Sequence, residues 1–155
     1  MSPHELLRNS FQAAIDAADP LQIVPAHLPD PPKRNTLIVG AGKAAAAMAQ
    51  AVEAHWPTDA NLEGIVITPY GHSLPTQCIT VIEGGHPLPD TQAELATRAI
   101  LESVQMLDSE DLLLGLFSGG GSSLLSAPIT GVTLDELKVI TQQLLLCGAP
   151  IQEIN

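Results

Sequence analysis

Leu6, Leu7, Phe11, Ala14, Ile15 and Ala18 recur at the spacing of one helix face. Ser2-Pro3-His4-Glu5 supplies the start, with Ser2 as N-cap, Pro3 at the first helical position and an acid in the first turn. Asp19-Pro20 closes the element. From Leu28 to Arg34 the periodicity is lost, and three prolines mark an exposed connection. Thr36-Leu-Ile-Val39 is a short apolar run ending at Gly40, as a buried parallel strand requires. Lys43 to His55 is Ala-rich and predicts a helix able to lie close against a sheet or another helix. Gly64–Thr68 and Ile79–Ile82 are further β-branched runs, each followed by a loop with Gly and Pro. Asp90 to Leu107 is the clearest helix: Asp90 or Thr91 can cap it, and Thr91 with Glu94 form a capping-box pair. Leu112–Phe117 predicts another buried strand, broken at Ser118-Gly-Gly-Gly-Ser-Ser123. Thr133 to Cys147 repeats the capping-box pattern with Thr133 and Glu136, and Gly148 and Pro150 stop it.

Strands alternating with helices predict an α/β fold: an open, mostly parallel, Rossmann-like sheet flanked by helices, with right-handed crossovers. Ile151 to Asn155 reads as the first turn of a further helix, with Pro150 at its opening. A natural domain rarely stops one turn into an element. Residues 1–155 are therefore expected to be the amino-terminal portion of a longer protein.

Composition narrows the function. The chain has 155 residues, 45% hydrophobic and 15% charged, enough for one domain with a core. Six Lys+Arg against 17 Asp+Glu give a formal charge of -11. That balance argues against nucleic acid or an anionic membrane as partner, since both reward dense positive charge. It still permits a phosphate held locally by one Lys and a few backbone N–H groups. The first residues lack the apolar core of a signal peptide, and no apolar run reaches a membrane span, so a cytoplasmic protein is expected. Two cysteines, Cys78 and Cys147, are too few for a disulfide scaffold.

In open α/β sheets ligands bind at the carboxyl ends of the strands. Three such ends carry unusual residues. At the first, Gly40 and Gly42 allow a sharp turn and close approach of a ligand, and the following helix N-terminus favours an anion. Gly40-x-Gly42-x-x-Ala45 is a permitted dinucleotide fingerprint, yet the next strand ends Thr68-Pro69-Tyr70 without the acid that would hold a ribose. A Walker loop fails as well, because Ala44 follows Lys43 and Leu37 stands where the leading Gly belongs. What remains is Lys43, either a ligand for something negative or a solvated lysine at a tight turn. At the second end, Ser118, Gly119, Gly120, Gly121, Ser122 and Ser123 can form an anion-binding concavity from exposed N–H groups and hydroxyls, or merely a flexible turn opening a helix. The Gly-x-Ser-x-Gly nucleophile elbow is absent. At the third, Pro87 and Pro89 stiffen a loop presenting His86, which could bind substrate or shuttle protons. Asp90 is more simply a helix cap. His4, His27, His55 and His72 show no ligand spacing with one another or with the cysteines, so no structural zinc is expected.

At these loops the chain resembles the N-terminal domain of the type II glycerate kinases, historically also labelled hydroxypyruvate reductases. The matching segments are Leu37–Ala45, Gly84–Asp90 and Phe117–Ser123, in order, and the likeness covers nearly the whole chain. The resemblance implies transfer of the γ-phosphate of ATP, with Mg²⁺, to the 2-hydroxyl of glycerate. It places Lys43 in the active-site cleft, lines that cleft with Ser118–Ser123 and puts His86 near it. Family members supply further cleft residues, an arginine among them, from a portion beyond Asn155, so these 155 residues alone are expected to be inactive or nearly so. Two readings of other classes stand beside this one: an NAD(P)H-dependent hydroxypyruvate reductase and a non-catalytic α/β ligand-binding module. A sugar-phosphate isomerase-type domain comes third.

Overall fold

The computed structural model describes residues 1–154. Four strands form one parallel sheet: β1 (Asn35–Ala41), β2 (Asn61–Pro69), β3 (Ile79–Gly84) and β4 (Leu112–Phe117). Their spatial order is β3-β2-β1-β4. The order reverses between β1 and β4, which places the sheet's topological switch point at the carboxyl ends of those two strands.

The period-two side-chain alternation of β1 divides the core. Ile38 packs with Ala45, Ala49, Val52 and Trp56 of the helix α3 (Ala45–His55) and its end. Leu37, Val39 and Ala41 pack on the opposite face with Ala96 and Ile100 of a later helix, α4 (Thr91–Gln105). Ala45, Ala46, Ala49 and Ala51 of α3, all buried, let its backbone come close to the sheet. Gly64 serves the same closeness within the sheet: a Cβ there would stand 2.6 Å from that of Ile38.

The predicted elements are present, with three differences. The first helix, α1 (Pro3–Ala17), carries the Ser2–Glu5 capping box, yet Asp19-Pro20 opens rather than merely closes an element. Asp19 accepts a hydrogen bond from Leu21 N–H and Pro20 takes the first position of α2 (Pro20–Ile23), continued by a 3₁₀ turn over Val24–His27. The loop predicted after β2 joins it to β3 over residues 70–78 without a helix. It is held by Glu53, whose carboxylate accepts from Gln77, Cys78 and Ile79 N–H at 2.7–2.8 Å. Secondly, the Thr91–Glu94 capping box does not form. Asp90 caps α4 by accepting from Ala93 N–H, which makes Thr91 the first helical residue, and Glu94 pairs with Arg98 instead.

After β4 come a single turn, α5 (Gly121–Leu124), then α6 (Leu134–Leu146) with the Thr133–Glu136 capping box, then α7 (Ile151–Ile154). Asn155, part of the predicted last helical turn, lies outside the described residues. Neither α1 nor α6 has a buried residue, and Leu7 and Phe11 are 72% and 69% exposed. Thirdly, β4, predicted as a buried strand, is an edge strand: only Leu116 is buried, and Leu113 and Phe117 on its α4-side face are exposed because no helix among the described residues packs over them there. Among the described residues no helix is long and apolar enough to cross a membrane.

Gly64→Ala forces a methyl group against the β1 backbone, so it is expected to lower stability by about 1–3 kcal/mol, the usual cost of overpacking. The check is a lower urea midpoint at unchanged slope.

Candidate functional site

Gly42 sits at the junction of three strand ends. Its N–H donates to Ile67 O of β2 (3.0 Å), and Thr68 Oγ1 donates to its carbonyl (3.2 Å). Its φ of 135° lies where L side chains are strained, and a Cβ would fall 2.6 Å from Ser118 O. The missing side chain therefore lets the loop after β4 close onto the loop after β1. Ser118 N–H donates to Ala41 O (3.1 Å), Lys43 N–H to Gly119 O (3.0 Å), and Ala44 N–H to Ser118 Oγ (3.0 Å). Ser118 Oγ thus caps the start of α3, which has no cap of its own from Ala44.

The glycine-rich loop then turns at Gly120, with φ 87°, into α5. Among the described residues the N–H groups of Gly119 and Gly120 have no acceptor. Ser123 Oγ donates to Gly120 O (3.2 Å) and Ser126 Oγ to Ser123 O (2.9 Å), so Ser123 braces the loop. Ser122 is exposed with its hydroxyl unengaged among the described residues.

His86 closes the third side. Its Nε2 lies 2.6 Å from where a Gly120 Cβ would be, so the ring rests on the glycine loop. Burial pushes its pKa below the usual 6.5, and the positive charges of Lys43 and His72 facing it act in the same direction. The imidazole is therefore neutral at pH 7. Asp90 does more than cap α4. Its Oδ1 accepts from Ala93 N–H (2.9 Å) and its Oδ2 from the Tyr70 hydroxyl (2.7 Å). Burial pushes its carboxyl up, but the Ala93, Tyr70 and Gly85 hydrogen bonds and the charge of Lys138 outweigh that and hold it below its ordinary value.

A cleft of about 730 Å³ opens over these loops, lined by His86, Phe117, Ser118, Gly120, Gly121, Ser122 and Ser123, with Leu137 and Thr141 of α6 opposite. The predicted residues thus separate. His86 and most of Ser118–Ser123 share the cleft. Gly40 is buried inside β1, where a Cβ would come within 3.0 Å of the Leu116 backbone, and Gly42 is buried at the strand junction, so packing explains both glycines. Lys43 and Gly119 are exposed and not in the cleft lining. Lys43, like Arg8 and Lys33, forms no ion pair among the described residues; Arg34, Arg98 and Lys138 each have an acidic partner. Tyr70 and the α6 residues Leu137 and Thr141 were not predicted; the one available signal was Leu137 and Thr141 sharing a face one turn apart.

The family profile described as "Domain of unknown function (DUF4147)" matches residues 6–155. The chain is 46% identical over 155 residues to a candidate hydroxypyruvate reductase of Agrobacterium vitis, covering all of this chain and 35% of that protein. It is 41% identical over 143 residues to the D-glycerate 2-kinase of Thermotoga maritima, covering 92% of this chain and 34% of that one. Among solved structures, the T. maritima glycerate kinase superposes with a TM-score of 0.80 at 36% identity, over 98% of this chain and 37% of that chain. A Pyrococcus horikoshii protein superposes at 0.82 with 33% identity, over 99% and 37%. The chain thus spans roughly a third of the length of these relatives.

Gly42→Ala combines a strained backbone with a clash against Ser118 and is expected to cost about 1–3 kcal/mol, read by urea unfolding. A second expectation concerns pH. Above the ordinary histidine value of 6.5 both folded and unfolded chains keep His86 neutral. As pH falls through that value the unfolded chain takes the proton first, and stability is lost until the lower folded-state pKa is passed. His86→Gln is expected to flatten this loss in urea midpoints measured just below the ordinary value.

Proposed function

The chain belongs to the glycerate kinase and hydroxypyruvate reductase family, and from that premise we propose that it is the amino-terminal portion of a glycerate 2-kinase whose loops hold the phosphoryl group passed from ATP to the 2-hydroxyl of glycerate. The observation that carries this reading is the junction of Lys43 with the glycine loop. Its backbone N–H is hydrogen-bonded to Gly119 O, and among the described residues its ammonium has no acidic partner and the N–H groups of Gly119 and Gly120 have no acceptor. Phosphoryl transfer needs positive charge and fixed donors around oxygens that carry negative charge in the transition state. ATP supplies the phosphoryl group when bound. Lys43 would neutralise its oxygens, the Gly119 and Gly120 amides and the Ser122 hydroxyl would orient them, and neutral His86 would offer a ring nitrogen to the substrate hydroxyl.

These residues do not make a Mg²⁺ site by themselves. Asp90 is spent on Ala93 and Tyr70, and Glu83 accepts from Gly71 and Ser73 N–H. Among the described residues no group of three acidic, His or Cys side chains could hold a metal. The ion of a Mg²⁺–nucleotide would be carried on the phosphates and water. A cytoplasmic location, where ATP is supplied, goes with the reading.

A second reading, reduction of hydroxypyruvate with NAD(P)H, is favoured by the name of the A. vitis relative. Against it stands the end of β2, where Thr68 and Pro69 are buried and Thr68 is bonded to Gly42, leaving no carboxylate for a ribose.

The test is an enolase-coupled assay with ATP, Mg²⁺ and D-glycerate on the protein containing this chain, beside Lys43→Ala. Enolase consumes 2-phosphoglycerate and not its 3-isomer. A signal that falls by about 100-fold or more in Lys43→Ala is expected. Oxidation of NADH by hydroxypyruvate, with no kinase signal, would establish the second reading instead.

A further inference from the structure

We propose that Tyr70 is a positioning residue that, through Asp90, latches the loop carrying His86 against the glycine loop. The proposal rests on the reading of His86 as a wall of the ligand cleft.

The latch is built on a fixed base. Tyr70 follows β2 in a tight turn in which His72 N–H donates to Pro69 O (3.1 Å) and Gly71 takes φ 79°. Glu83, on the neighbouring strand β3, accepts from Gly71 N–H (2.6 Å) and Ser73 N–H (3.3 Å), so the turn is tied to the sheet on both sides of His72. The phenol projects from that base and donates to Asp90 Oδ2. Capping α4 needs only one carboxylate oxygen, and Oδ1 does it. The second oxygen is therefore free to join α4 to the β2 turn, and the loop 85–89 is bounded by that joint.

The loop folds tightly onto the joint. A Cβ on Gly85 would lie 2.5 Å from Leu88 O and 3.1 Å from Asp90 Cγ, so the backbone beside His86 lies directly on the carboxylate. On its other side the imidazole rests on Gly120. The contacts run without a break from the sheet through Tyr70, Asp90 and Gly85 to His86 and Gly120. Removing the phenol hydroxyl leaves the helix cap, the Gly85 hydrogen bond to Asp90 and every charge in place, and releases only the tie that holds Asp90, and the loop resting on it, to the β2 turn.

The consequence is read on the imidazole itself. His86 owes its low pKa to burial against the glycine loop and to Lys43 and His72 facing it. A loop that swings away relieves all of these. Tyr70→Phe keeps the net charge, so a changed titration reports position and not a lost charge.

The experiment is proton NMR of the protein containing this chain and of its Tyr70→Phe variant, following the His86 ring protons through a pH titration and their nuclear Overhauser contacts to the Gly120 α-protons. Far-UV circular dichroism and urea midpoints check that Tyr70→Phe is folded. The expected result is a His86 pKa shifted up toward the ordinary histidine value and weakened contacts to Gly120, in a folded protein. A folded Tyr70→Phe with both unchanged overturns the proposal. Tyr70→Leu serves as a second variant, expected to behave as Tyr70→Phe does, and an effect confined to Tyr70→Leu also overturns the role of the hydroxyl. None of these readouts needs phosphoryl transfer. A chain that fails the kinase assay but shows the shift keeps the latch, and the reverse outcome removes the latch alone.

Discussion

Three strand ends can meet at the switch point only because Gly42 has no side chain there. Its carbonyl, its N–H and the empty space at its Cα are taken up respectively by Thr68, Ile67 and Ser118. Around that point the loops after β1 and β4 share hydrogen bonds, and Ser118 supplies the cap that α3 otherwise lacks. The cleft inherits its floor from this arrangement. A larger residue at Gly42 would push the glycine loop off β1 and carry Gly120, and the His86 ring lying on it, out of place.

Signals that act over a few residues were legible in the sequence. The Ser2–Glu5 and Thr133–Glu136 capping boxes, the apolar strands and the glycine breaks all appear where local chemistry places them. Local chemistry was ambiguous at Asp90-Thr91, where both residues can cap. Asp90 prevails because its second oxygen also meets Tyr70, a partner contributed by another strand. The same limit hid α2, since Asp19-Pro20 can end one helix or begin the next. At the site, the rule that ligands gather at strand ends pointed to three loops, of which His86 and most of Ser118–Ser123 share the cleft while Lys43 lies outside its lining. Their division of labour was not legible. A glycine that admits a ligand and one that admits a neighbouring strand look alike in sequence, and Gly40 proves to be the second kind. Tyr70 left no trace, because nothing local to a tyrosine after a strand says which carboxylate it will meet.

The electrostatics of the site stand apart from those of the chain. A net positive chain is not needed to hold a phosphate; a few placed groups suffice, as helix ends and backbone nests show. The charges of Lys43 and His72 act on His86 at the carboxyl ends of the strands in a chain of net charge -11. Asp90 and Glu83 are occupied by hydrogen bonds from Tyr70 and from backbone N–H groups. These two acidic side chains act as struts. The relatives this chain matches are about three times as long.

The edge strand β4 has a colloidal consequence. Among the described residues its outer backbone groups have no partner strand, and Leu113 and Phe117 stand exposed beside them, the kind of surface on which chains stack edge to edge. What opposes such stacking is mutual repulsion between chains of charge -11. Salt shortens the reach of that repulsion, and acidification toward the isoelectric point near 4.5 removes it. The isolated chain should therefore remain dispersed in dilute neutral buffer and cloud as salt rises or pH falls, with its solubility governed by charge while its strand edge stays bare.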